Sequence, residues 1–173
     1  MKKQYGRDRI FLLSVLVGFG VFVMIYIPMA VLSPVPLSDS HFFTFLTALV
    51  ALYPLHKLVH FLPLLRCRNC VQLKVTRHYG FLPEVKFRVQ DPVNKAWFLA
   101  ALLAPFVLIN TALLALSIQL PEFGHYWALM LAFHSALCLV DLIYFRYALR
   151  SPKGALIEET ETGYEILIPP VTL

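Results

Sequence analysis

Four long apolar runs, each sufficient to cross a lipid bilayer, constrain this chain more than any other feature. Ile10 to Leu32 and Ala96 to Ile118 contain no charged side chain. His41 to Leu65 carries His56, Lys57 and His60 near its far end, and His125 to Tyr147 holds His134, Asp141 and Arg146. A helix needs roughly 20 mostly apolar residues to span the hydrocarbon layer, where each backbone polar group must find its partner within the protein. Composition agrees: 59% of the 173 residues are hydrophobic and only 14% charged, too few charges to cover a water-soluble domain of this size. The expected fold is an all-α membrane bundle of four transmembrane helices, spans 10–32, 41–65, 96–118 and 125–147, within a membrane domain 10–149. The first run follows the basic start MKKQYGRDR. It exceeds the roughly 7–15 residues of a signal-peptide core and precedes no small-x-small cleavage site, so it reads as a retained span.

Charge then orients the bundle. Fourteen of the fifteen basic residues fall in residues 1–9, in the loop 66–95 or around the end of span four, all on one side of a four-span arrangement. The opposite loops, SPVPLSDS and QLPEFG, contain none. Positive loops remain in the cytoplasm, so the basic N-terminus 1–9, the loop 66–95 and the tail 150–173 are expected there. The net charge of +5 therefore reflects topology and anionic headgroups, and no nucleic-acid partner is expected. Within the loop, VQLKVTR and EVKFRVQ alternate apolar and polar residues around YGFLP, the period of a β-hairpin. The tail, ALIEETETGYEILI, repeats that layout around TETG, so one small sheet built from both hairpins is expected. Cys67 and Cys70 form CRNC on the reducing side; a zinc site there lacks a second half beyond His78. Cys138 reads as a small core residue.

Ionisable side chains inside a bilayer are costly and mark function by default. His56 and His60 are four apart, on one helical face, and can reach one metal ion. The competing reading is a histidine pair solvated at the interface. Depth favours a third ligand: His56 lies 15 residues into span two and Asp141 16 residues into span four, and both spans run in the same direction. His134 lies seven residues earlier, roughly 10 Å further out at the helical rise, and is a poor fourth ligand. Asn110 lies nearer its level, where the two can hydrogen-bond across helices.

The stretches LYPLHKLVHFLP (52–63), APFVLIN (104–110) and HSALCLVDLIYFRYALRSPKGALIEETETGYEIL (134–167) together resemble the putative zincin peptidase family, small bacterial membrane proteins similar to site-2 intramembrane proteases. The resemblance implies a multi-pass protein of the bacterial cell membrane with zinc as cofactor, held by His56, His60 and Asp141. The family motif is HExxH; here it reads HKxxH, and Lys57 occupies the general-base position. In such peptidases the glutamate accepts a proton from the attacking water, which a protonated lysine cannot do. Lys57 has two other readings: its side chain extends toward the headgroups, or it pairs with Asp141 and an ion pair replaces the metal. The expected function is a catalytically impaired pseudoprotease that binds membrane-protein partners. An active zinc metallopeptidase with an atypical base is the alternative. A small transporter or channel subunit is a second one, in which a homodimer encloses His134, Asn110 and Asp141.

Overall fold

A computed structural model describes residues 6–33, 35–65, 71–78, 82–89, 92–160 and 163–168. Helix α1 covers Arg7–Leu32 and α2 Phe42–Val59, followed by the single turn α3, Phe61–Leu64. Two long helices follow, α4 over Lys95–Gln119 and α5 over Gly124–Leu149, the latter entered through one tight turn at Pro121–Phe123. Among the described residues, four helical segments are long and apolar enough to cross a membrane by length and composition, as the apolar runs predict. Pro28, Pro54 and Pro105 are accommodated inside helices. Within the second span, Phe42–Leu64, regular helix is interrupted at His60. The ring of Pro63 supplies no N–H for the carbonyl of Val59 and crowds it, so regular α-helix ends there and resumes for one turn.

Helix α5 is central, with α1 packed along one side and α4 along another, while α2 and α3 lie mainly against α4. Leu52, Val59, Ile109, Leu113, Met130 and Leu131 form the main buried cluster between α2, α4 and α5. The outward faces remain apolar, with Phe11, Leu16, Phe19, Val31 and Phe43 exposed. Contact between α1 and α5 depends on small side chains, as helix pairs without a hydrophobic driving force require. A Cβ placed on Gly18 would sit 3.1 Å from the Ala132 carbonyl oxygen and 3.2 Å from the Ala136 Cβ.

The ends of α4 and α5 are tied together. Asn94 caps α4 by accepting from the Ala96 N–H at 2.9 Å, satisfying a donor the first turn leaves open. The adjacent Lys95 extends its ammonium to the carbonyl oxygens of Leu149, at 3.0 Å, and Ser151, covering the last carbonyls of α5 with positive charge. Strands form at this end. Val71–His78 (β1) and Leu82–Val89 (β2) pair antiparallel, the hairpin read from the loop. The tail hairpin, Leu156–Thr160 (β4) and Gly163–Leu167 (β5), pairs instead with Val93–Asn94 (β3). There are thus two sheets where the sequence suggested one. The short strand entering α4 takes the edge of β4, and Lys95 N–H bonds the Ala155 carbonyl at 3.2 Å. Cys67 and Cys70 lie outside the described residues.

Gly18→Val should destabilise the bundle by about 1–3 kcal/mol through overpacking, measured as thermal unfolding in detergent. Gly20, where an added Cβ meets nothing within 4 Å, should accept alanine with no loss of stability.

Candidate metal centre

The break in the second helical segment positions His60. Its Nδ1 lies 2.8 Å from the backbone carbonyl oxygen of Ala101 on α4. A carbonyl oxygen only accepts, so Nδ1 carries the proton and the neutral ring leaves Nε2 bare. That Nε2 sits 3.2 Å from His56 Nε2, one turn earlier on α2, with the two rings edge to face. From α5, Asp141 brings Oδ2 to 3.2 Å from His56 Nε2 and 3.5 Å from His60 Nε2. All three side chains are largely enclosed, at 5%, 18% and 17% exposure for His56, His60 and Asp141.

Asp141 Oδ2 is buried, and among the described residues its polar neighbours are the two ring nitrogens, with no further hydrogen-bond donor. An ionised oxygen in that condition is costly, and a cation between the three atoms removes the cost. Tetrahedral zinc with ligands at its usual bond lengths holds them about 3.3 Å apart. The separations here, 3.2, 3.2 and 3.5 Å, fit that edge length. The donor set of two imidazoles and one carboxylate is also one that zinc takes. These residues can hold a zinc ion with little rearrangement.

The site extends further than level-matching suggests. His134, set about 10 Å away by helical rise, is in contact: its Nε2 lies 3.1 Å from His56 Nδ1. Helical rise locates Cα atoms, whereas the two rings bridge most of that gap. The spacing of His134, Cys138 and Asp141, four residues and then three, puts them on one stripe of α5 and was the available signal. His134 Nδ1 in turn meets Asn110 Oδ1 at 2.7 Å, the cross-helix bond anticipated for that pair. Cys138 is buried, as expected of a core residue, and its Sγ rests 3.6–3.8 Å from ring nitrogens of His56 and His134. His56, His134 and Cys138 therefore form a second group with metal-ligand spacing.

Lys57 takes no part in this arrangement. It is exposed on the outer face of α2, with its ammonium 5.9 Å from the centre of the Tyr53 ring one turn back. The ion pair with Asp141 that the sequence left open does not form, because Lys57 projects about 100° around the helix from His56 and Asp141 faces the histidines.

The model of a family described as putative zincin peptidase matches residues 49–156, more than half of the chain. The matched segment contains His56, His60, Asn110, His134 and Asp141. No curated protein and no solved structure matches the chain.

Lys57→Ala should change stability by no more than about 1 kcal/mol, the range of an exposed cation–π contact. A loss of about 3–5 kcal/mol in detergent unfolding, as when one partner of a buried pair is removed, would contradict the outward placement.

Proposed function

The chain belongs to the putative zincin peptidase family, and on that premise we propose that it is an integral membrane protein that holds one zinc ion but does not cut peptide bonds. The observation carrying this reading is the convergence of the buried Asp141 Oδ2 with the Nε2 atoms of His56 and His60 at the spacing of zinc ligands. Zinc held there would supply a Lewis acid able to polarise a carbonyl. Peptide hydrolysis also requires a group to take a proton from the attacking water. Lys57 stands in the position that family motif gives to glutamate, and it is a cation pointing away from the histidines. Asp141 is committed to the metal. Hence the chain keeps a metal centre and lacks the base. Such a protein acts by binding other membrane proteins through a peptidase-like scaffold.

The four apolar helices support insertion in the membrane. The distribution of basic residues supports cytoplasmic placement of both termini and of the β1–β2 hairpin. The transporter reading loses support because Asn110, His134 and His56 bond to one another between tightly packed helices.

Detergent-purified protein should contain about one zinc per chain, and Asp141→Ala or His56→Ala should lose it. Membrane-peptide cleavage should be undetectable in the wild type, with or without added zinc. Chelator-sensitive cleavage by the wild type would overturn the inactive assignment, and zinc retained in Asp141→Ala would overturn the site.

A further inference from the structure

We propose that Asn110 and His134 are positioning residues that fix the ring of His56 with its proton on Nδ1, leaving Nε2 bare and aimed at Asp141 and His60. The inference rests on the zinc reading above, since a cation reconciles the bare Nε2 atoms of His56 and His60 at 3.2 Å; the bonds on the far side of His56 are tested apart from it.

A chain of hydrogen bonds starts on α4 and runs inward to α2. The Asn110 carboxamide donates through Nδ2 to Ser135 Oγ at 3.3 Å, which directs Oδ1 toward His134. Asn110 Oδ1 then accepts from His134 Nδ1 at 2.7 Å, so that nitrogen carries the proton. His134 is completely buried, where a charged imidazolium without a counter-ion is disfavoured, and the neutral ring has a bare Nε2. The neighbour of that Nε2 is His56 Nδ1, at 3.1 Å. Two bare nitrogens at that distance would repel, so His56 Nδ1 must donate. The neutral His56 ring is then bare at Nε2, on its opposite edge, 3.2 Å from Asp141 Oδ2. Each bond sets the next, from α4 through α5 to α2.

His60 is fixed in the same sense by the Ala101 carbonyl, so both histidines present lone pairs to one point. A ligand histidine commonly has its second nitrogen held by an outer hydrogen bond, and losing such a partner lowers metal affinity about 10–100-fold. The arrangement also decides between the two donor groups that share His56. A metal bound by His56, His134 and Cys138 would require His56 Nδ1 to be bare, which the Asn110–His134 chain forbids. Cys138 then serves to fill the space between the rings.

The test uses full-length protein in detergent micelles with 15N-labelled histidine, freed of metal and then titrated with zinc against a chelating dye. Nitrogen spectra should show the His56 proton on Nδ1 in the wild type and in His134→Gln, whose side-chain carbonyl can still accept. His134→Leu, similar in volume but unable to accept, should lose that proton preference and bind zinc about 10–100-fold more weakly, while His134→Gln stays close to wild type. A purely packing role for His134 would favour leucine over glutamine, the reverse order. A bare His56 Nδ1 in the wild type would overturn the proposal, as would abolition of zinc binding by Cys138→Ala. The wild-type spectrum requires no variant, so the test holds even if His134→Leu fails to fold. A wild type with the Nδ1 proton but no zinc binding upholds the chain of bonds and rejects the zinc reading.

Discussion

Three polar atoms converge in the interior of an apolar bundle, and the function of the chain depends on what joins them. Asp141 Oδ2 and the Nε2 atoms of His56 and His60 lie within 3.5 Å of one another. In a low-dielectric interior, such a group is unfavourable unless a positive charge joins it. A proton satisfies at most two of the three atoms at once, whereas a zinc ion satisfies all three. Among the described residues, Lys95 is committed to the carbonyls of Leu149 and Ser151, and Lys57 faces outward over Tyr53.

The fold serves this convergence. Close packing of α1 on α5 at Gly18 supports α5 from behind, and the Lys95 clamp ties the adjoining ends of α4 and α5. The turn at His60, forced by Pro63, brings its ring under the Ala101 carbonyl and its Nε2 into the site. The candidate ligands His56, His60 and Asp141 therefore come from α2, the turn after it and α5, while α4 contributes the Ala101 carbonyl beside His60 and the Asn110 carboxamide beside His134.

Much of this was legible in the sequence. Apolar run lengths gave the four helices to within a few residues, and counting residues from one end placed His56 and Asp141 at one depth. Strand periodicity identified both hairpins. The limits have specific physical causes. Val93–Asn94 is too short to show a period, so its pairing with β4, and the resulting separation of the two sheets, could not be read. Pro63 is a residue able to kink or end a helix, but apolarity continues smoothly across the break and does not mark its position at His60. His134 was set too far from His56 because depth counts Cα positions, and two imidazole rings span the interval between turns. For Lys57, a helical wheel separates it from His56 by about 100°, but only the packing of α2 against its neighbours shows that this direction is outward.

X-ray absorption at the zinc edge of the purified, zinc-loaded protein would separate the two donor groups that share His56. A metal between His56, His60 and Asp141 gives a first shell of nitrogen and oxygen at about 2.0–2.2 Å, with the outer-ring scattering of two imidazoles and no sulfur. A sulfur scatterer near 2.3 Å would contradict it by moving the metal to Cys138, and a shell lacking imidazole would remove zinc from this site altogether.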